Sequence, residues 1–422
     1  MKKVYFKTFG CRTNMFDTQI MISKLNDFML TQDEKDADII VVNSCTVTNS
    51  ADGGVRNYIN KIHKSSKAKV YLTGCGAYTQ GEKLLKDKKV LGVFGHSKKS
   101  EISNLLKREN FFEIGDLNHL DSEIVENFVG KSRAFIKIQE GCDFRCSYCI
   151  IPYVRGDARS HDEELILKQI KTLASNGFGE FILTGTNVGS YGSRVRSVSR
   201  DGKDKNSSLA KLLKKISLIR GVKRVRIGSI EPIQIDDEFL ELLNESWMAK
   251  HLHIALQYTD DRMLKIMNRR NRVKSDLELF EKIASYGYAL GTDFIVGHPG
   301  ESQDIFESAL NNLKKFPLTH IHLFTYSKRD GTPSAKMRDE VRGDIAKERQ
   351  KIIKSIIEEK NYKFRQKKKP LIVLVENRKD NFFVGFDQFY NKIYIKSDFD
   401  LSGSWIEIKD YEVKKKANYA YL

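Results

Sequence analysis

Apolar residues recur along this chain in short unbroken runs separated by longer amphipathic stretches. From residue 2 to about 108 the runs are KVYFKTF, ADIIVVNS, VYLTG and VLGVFG. Unbroken runs of this length suit strands covered on both faces, as in parallel sheets. Between them, apolar positions at helical spacing predict helices over about Asn14 to Leu30, Ala51 to Ser65 and Ser100 to Arg108. Such alternation predicts a doubly wound parallel sheet, in which functional groups gather at the carboxyl ends of the strands.

The periodicity fades from about Glu113 to Arg133, which reads as a connector. It then resumes with RAFIKIQEG, EFILTGT, RVRIGSIEP, LHIALQY, TDFIVGHPG and HIHLFTYS as strands, separated by helical stretches such as His161 to Ser175, Leu209 to Leu218 and Asp236 to Ser246. Six βα units predict a partial (β/α) barrel with its chemistry at the carboxyl ends of the strands. A polar, basic insertion from Ser193 to Ser208 has no core pattern and is expected to be a mobile loop. A charged helical stretch follows the barrel and ends in KFRQKKKP; its ordinary reading is a solvated helix face and linker. From Leu371, the short alternating runs LIVLVEN, FFVGF, KIYIKS and WIEIKDYEV predict a small antiparallel β-barrel. The expected divisions are therefore 1–112, a linker at 113–132, 133–340, a helical connector at 341–369, and 370–422.

Composition narrows the functional classes. With 422 residues, 40% of them hydrophobic, the chain can bury several cores and is not a disordered protein. Seventy-two basic against 55 acidic residues give a net charge of +17, which points to a polyanionic partner, nucleic acid first. A lysine-rich compositional bias is the plainer alternative. No stretch reaches the length of a transmembrane helix and MKKVYFKTFGC lacks an apolar signal core, so no membrane association and a cytoplasmic location are expected. There thiols stay reduced, and clustered cysteines mean metal or catalysis rather than disulfides.

The chemistry centres on GCDFRCSYCIIPYVRG, residues 141–156, where Cys142, Cys146 and Cys149 lie in one loop at CxxxCxxC spacing. Three thiolates converging on one point suit an iron–sulfur cube with one iron left without a protein ligand. A zinc knuckle would want a fourth Cys or His, and His161 is the first candidate after the loop; buried structural thiols are the other alternative. Cys11, Cys45 and Cys75 each end an apolar run. Neighbouring parallel strands would bring them to one sheet edge as a second three-cysteine cluster, unless each is simply a buried cysteine. These six are all the cysteines the chain has.

The segments FGCRTNMFDT, VVNSCTVTNSA, YLTGCGA, IQEGCDFRCSYCIIPYVRG and GEFILTGTNVGSYG together resemble the radical S-adenosylmethionine (SAM) methylthiotransferases, from end to end of the chain. The resemblance implies two 4Fe–4S clusters, metal-bound by Cys11, Cys45 and Cys75 and by Cys142, Cys146 and Cys149, the latter set catalytic. One SAM would donate its methyl to a sulfur held at the first cluster. A second, bound at the open iron, would be cleaved to a 5′-deoxyadenosyl radical that activates an unreactive C–H carbon. Such a carbon has no useful acidity, so a redox cofactor is needed where acid–base residues would not suffice.

Candidates for binding SAM are Thr184 and Gly185, Glu231 (for the SAM ribose or the substrate) and Gln257 at strand ends, and Asp293 within the fifth strand, whose GHPG end brings its glycines toward the adenine. Arg155 and Arg159 are candidates to pair with the SAM carboxylate or with phosphate. The family's substrates are adenosine next to the tRNA anticodon bearing a threonylcarbamoyl or an isopentenyl group, or an aspartate of a ribosomal protein. The IQEGC…YCIIPYVRG and LTGTNVGSYG segments most resemble the threonylcarbamoyl branch. The C-terminal runs resemble the TRAM domain, an RNA-binding module, with Phe382, Phe383, Phe386, Phe389 and Tyr390 divided between core and base stacking. The implied partners are the tRNA anticodon stem-loop and an electron donor such as flavodoxin or ferredoxin, acting on a monomer. ALQYTDDR departs from the family's usual PLQSGSDR at Ala255, Tyr258 and Thr259, and His298 stands where Phe or Tyr is usual. A non-catalytic iron–sulfur or zinc RNA-binding protein is the alternative from another class; a cobalamin-binding N-terminal domain is disfavoured by the cysteine triplet.

Overall fold

In the computed structural model, residues 1–192 and 208–422 are described; the expected mobile loop, apart from Ser208, lies outside them. The first unit is a six-stranded, all-parallel sheet. It runs β1 (Lys3–Thr8), α1 (Arg12–Ser23), β2 (Met29–Leu30), β3 (Ile39–Ser44), α2 (Asn49–Ser65), β4 (Lys69–Gly74), α3 (Cys75–Lys86), β5 (Gly92–Phe94), α4 (Ile102–Leu105) and β6 (Phe111–Glu113). The strand order is β2-β1-β3-β4-β5-β6. IIVVNS lies between two neighbours and is buried at every residue, as its unbroken apolar run requires.

Two elements depart from the sequence reading. The first helix stops at Ser23, and Met29 and Leu30, expected to be helical, pair with Lys3 and Val4 at the sheet edge. A 12-residue helix starts at Cys75 itself, where none was expected, because the glycines of CGAYTQGEKLLK mask its amphipathic period.

The central unit has β7 (Ala134–Glu140), α5 (Ile151–Arg155), β8 (Arg159–Ser160), α6 (Glu163–Ser175), β9 (Glu180–Gly185), α7 (Ser208–Ser217), β10 (Arg224–Ile227), α8 (Asp237–Glu241), β11 (His251–His253), α9 (Asp261–Ile266), α10 (Val273–Ser285), β12 (Ala289–Val296), α11 (Gln303–Lys315) and β13 (Leu318–Thr325). Parallel strands β7, β9 and β10 form one set, with short antiparallel β8 on the outer edge of β7. Strands β11, β12 and β13 form a second parallel set. Single parallel bridges, Val225 to Met248 and Ile230 to Ile254, join the two. The result is the six-stranded open barrel expected from the pattern, its helix-facing side packed in one large core.

Helix α12 (Gly343–Gln366) lies against β13 and leads to β14 (Leu371–Lys379), β15 (Phe382–Phe386), β16 (Lys392–Lys396), β17 (Trp405–Ile408), β18 (Glu412–Val413) and β19 (Asn418–Tyr421). These make a curled sheet in the order β17-β14-β15-β16-β19-β18, antiparallel except that β16 and β19 run parallel. No helix among the described residues is long and apolar enough to cross a membrane.

Candidate functional site

Three neighbouring strands carry the first group of cysteines. Cys11, Cys45 and Cys75 directly follow β1, via Gly10, and then β3 and β4, which adjoin in the sheet. Gly10 has φ +96°, and a Cβ there would fall 2.5 Å from Cys45 Cβ and 2.9 Å from its Sγ, so the chain passes this point only as glycine. Burial, with the neighbouring Cys75 thiol adding, pushes the Cys45 thiol up to about 12. Burial raises Cys75 as well.

The second group sits on the loop after β7. Cys142 follows Gly141, whose φ is +70°, and its N–H donates to Gly156 O at 3.1 Å. The loop is tied to the barrel by Ser147, whose N–H donates to Met267 O at 3.0 Å and whose hydroxyl donates to Ile266 O at 3.0 Å. Burial pushes the Cys142 and Cys149 thiols up to about 12. His161, the candidate fourth zinc ligand, lies instead beside Lys137, Asp121 and Glu140. All six cysteines are free. Three thiols per group, with no histidine among them, suit iron–sulfur clusters.

The two groups adjoin. Cys75 packs against Ile150 and Val154, just past the second group. Arg155 Nε donates to Cys75 Sγ at 3.2 Å, while its other nitrogens donate to Asn14 Oδ1 at 2.6 Å, Asp17 Oδ2 at 3.0 Å and Glu140 Oε1 at 3.2 Å. Around it three carboxylates, Asp17, Asp121 and Glu140, face three cations, Lys99, Lys137 and Arg155, all buried. Burial opposes the charge on Asp17, yet Lys137, Lys99 and Arg155 outweigh it and hold the carboxyl well below its ordinary range.

At the barrel mouth Glu231 is gripped by Arg269, which donates to both carboxylate oxygens, one at 2.8 Å, and to Ala255 O at 2.5 Å. Its Nη1 also reaches Cys146 Sγ at 3.6 Å. A cavity of about 120 Å³ lies beside this pair, walled by Phe144, Cys146, Ile233 and Asn271 among others. Thr184 is buried at the end of β9, and an added Cβ on Gly185 would fall 2.8 Å from Gln139 O. Gln257 holds φ +67°, uncommon for a residue with a side chain, through bonds from its N–H to Asp293 O and from Ile295 N–H to its carbonyl, both 3.0 Å. Of the SAM-binding candidates, Glu231 adjoins the loop cysteines, Thr184 and Gly185 end β9, Gln257 lies four residues past β11 and bridges to Phe294, Arg155 turns to Cys75, and Asp293 sits between His253 and His322.

The Radical SAM superfamily matches residues 136–313, and a second family, described as Uncharacterized protein family UPF0004, matches residues 3–95. A Helicobacter pylori protein named "Putative methylthiotransferase" is 56% identical over 100% of both chains. The threonylcarbamoyladenosine tRNA methylthiotransferase of Bacillus subtilis is 33% identical over 100% of this chain and 95% of its own. The chain belongs to the radical SAM methylthiotransferase family. The tRNA-2-methylthio-N6-dimethylallyladenosine synthase of Halalkalibacterium halodurans is 30% identical over 98% of this chain and 80% of its own. Among solved structures, the radical S-adenosylmethionine methyltransferase of Kitasatospora setae, with cobalamin and a 4Fe–4S cluster bound, shares the fold at a TM-score of 0.59 and 14% identity, over 79% of this chain and 77% of that one.

For a methylthiotransferase, several site residues lay outside the sequence reading. Arg269 gave no signal, because its role depends on Glu231 from a different strand end. Lys137 and Asp17 sit in runs that read as strand and helix, and only the meeting of the first two units makes them partners. In the C-terminal sheet, Phe383 and Phe389 are core, and Phe386 stacks on Tyr390 at 5.0 Å. Phe382 instead meets Tyr394 and Tyr419, which stack on each other at 5.1 Å with Lys392 and Lys414 over their rings, a half-buried aromatic face. The KIYIKS alternation contained the signal for Tyr394, and the parallel pairing of β19 brought Tyr419 beside it.

Proposed function

We propose that this methylthiotransferase adds a methylthio group to carbon 2 of N6-threonylcarbamoyladenosine next to the anticodon of tRNA, in the cytoplasm. The observation that carries the reading is the junction of the two cysteine groups, with Arg155 reaching from the loop of one to Cys75 Sγ of the other at 3.2 Å. A reaction that activates a carbon and then delivers sulfur to it needs both centres around one substrate. In this reading Cys142, Cys146 and Cys149 hold one cluster and Cys11, Cys45 and Cys75 the other. When bound, these clusters with SAM supply one-electron C–H activation and a carried sulfur.

The protein's own residues have the remaining tasks. Glu231, held by Arg269, orients SAM at the mouth, with Thr184, Gly185 and Gln257 around it. Arg155 balances the buried carboxylates and gives Cys75 an N–H partner. The face of Phe382, Tyr394 and Tyr419, edged by lysines, suits stacking on unpaired bases. The net charge of +17 suits the phosphate backbone. A small electron carrier of the flavodoxin or ferredoxin kind is the further partner this reading requires.

Two relatives support the threonylcarbamoyl substrate. The Bacillus subtilis and Aquifex aeolicus proteins of that name are 33% and 34% identical and are matched over 95% and 94% of their length. In Helicobacter pylori, by contrast, the protein named for dimethylallyladenosine is 34% identical, against 56% for the separate methylthiotransferase there, so the latter is a different member of the family. Nucleosides from tRNA of a strain lacking the gene test the proposal. The methylthio derivative of threonylcarbamoyladenosine should vanish and return with the wild-type gene, but not with Cys142→Ala. Loss of the dimethylallyl derivative instead would overturn the substrate, and unchanged tRNA nucleosides would overturn the tRNA reading.

A further inference from the structure

We propose that His253, Asp293 and His322 bind a divalent first-row transition ion, with zinc as the representative, at a site separate from both cysteine groups. Strands β11 and β13 flank β12, with His253 opposite Gly291 and His322 opposite Asp293. Alternation along the strands gathers His251, His253, Gly291, Asp293, His320 and His322 on one face, while Leu252, Leu290 and Phe294 enter the core on the other. One donor atom from each of the three residues falls within 4.8 Å of the others. His253 Nε2 lies 3.0 Å and His322 Nδ1 lies 3.2 Å from Asp293 Oδ1. Metal–ligand bonds of about 2.05 Å in a tetrahedron put neighbouring donors roughly 3.3 Å apart, close to these separations. Two imidazoles and a carboxylate suit zinc or iron(II) better than magnesium or calcium.

The plainer reading is a carboxylate hydrogen-bonded between two rings. It accounts for His253 and His322, whose Nε2 and Nδ1 both face Asp293 Oδ1, but not for the gathering of His251 and His320 on the same face. Nor does it account for His251, 5% exposed with neither ring nitrogen partnered among the described residues. Four of the nine histidines converge here, an expensive way to fill a core. Gly291 keeps the space between them open: a Cβ there would sit 3.0 Å from His253 Nδ1 and 3.2 Å from His251 Nε2. That leaves room for a partner to the ring nitrogen of His253 not facing Asp293, as metal-bound histidines require. Three protein ligands leave a fourth position open, and His322, half-exposed or more, marks the side from which it is reached.

The test uses the full chain with its clusters reconstituted anaerobically, dialysed against zinc and then against buffer, with zinc and iron measured per chain. Wild type should retain about one zinc, and His322→Gln and Asp293→Asn at least tenfold less, with iron unchanged. His320→Gln, outside the triad, should retain it. Zinc X-ray absorption of the wild type provides a readout that needs no variant: nitrogen and oxygen at about 2.0–2.1 Å are expected, and sulfur at about 2.3 Å would assign the ion to cysteines. A sulfur shell, equal zinc in the triad variants, or no zinc retained by wild type would each overturn the site.

Discussion

Arg155 is the residue on which the meeting of the two cysteine groups turns. Its guanidinium has bonds to a thiol, an amide and two carboxylates, all buried. Arg155→Met would leave Asp17 and Glu140 short of a cation, and breaking such a buried pair costs about 3–5 kcal/mol. Denaturant unfolding of the cluster-free protein should register that loss, and a change under about 1 kcal/mol would mean the network relaxes around the gap. Gly10 offers a separate test, since a Cβ there has no room beside Cys45. Gly10→Ala should lower iron from about eight to about four per chain while sparing the cluster of the loop cysteines. Full iron in that variant would show that the first group tolerates the shift.

At the scale of elements, the unusual ALQYTDDR segment has a packing explanation. Tyr258 is fully buried, stacks on Phe294 at 4.9 Å and donates to Glu301 Oε1 at 3.0 Å, while Arg349 of α12 pairs with the same carboxylate at 3.2 Å. Thr259 donates to Ala309 O at 2.7 Å. These residues fasten helices to the barrel's outside, and Tyr258→Phe should cost about 1–2 kcal/mol in unfolding measurements with SAM binding unchanged. His298 likewise sits in a polar contact, 2.8 Å from Ser334 Oγ, and burial pulls it down to about 4, so it stays neutral at physiological pH.

Strands β9 and β10 contribute to the pH dependence, alongside the buried carboxylates around Arg155. Burial would raise Glu180, but Arg226 and Arg224 outweigh it and hold the carboxyl at about 2. In the unfolded chain a glutamate titrates near about 4.3, so the stabilisation is complete above that pH and is lost as pH falls toward 2. The gap corresponds to about 3 kcal/mol at most. Glu180→Gln should flatten the acid limb of stability against pH between about 4.3 and 2, and an unchanged limb would assign it to other carboxylates.

Over the whole molecule, the C-terminal sheet docks by offering backbone carbonyls to arginines of the barrel. Arg224 donates to Ile372 O at 2.8 Å and Arg226 to Asp387 O at 3.2 Å. Tyr390 enters the same interior, with the guanidiniums of Arg12, Arg133 and Arg226 over its ring and its hydroxyl accepting from Arg12 at 3.1 Å. Arg12 follows Cys11, so all three units meet beside the first cysteine group. For the proposed tRNA substrate, the charge predicts binding that weakens at least tenfold between about 50 and 200 mM salt. Tyr394→Ala should weaken binding by about 1–3 kcal/mol without altering the salt slope, which separates stacking from phosphate contact. An altered slope would count against the stacking face.

Much of this protein is written locally. Unbroken apolar runs determined the parallel sheet and the barrel strands, because a strand covered on both faces needs apolar residues throughout. The CxxxCxxC spacing marked the loop group, since it puts three thiols on one short loop after a strand, while bonds from Ser147 to the barrel hold that loop in place. The cysteines at the ends of β1, β3 and β4 were legible as strand-end residues, and the sheet order made those strands neighbours. Only the tertiary structure decided the rest. That Arg155 faces Cys75, that Arg269 holds Glu231, and that His253 and His322 flank Asp293 all depend on residues dozens of positions apart. Their partners are set by which strands adjoin and which units dock. Burial then decides the charges, because a buried carboxylate stays ionised only where folding brings it a cation.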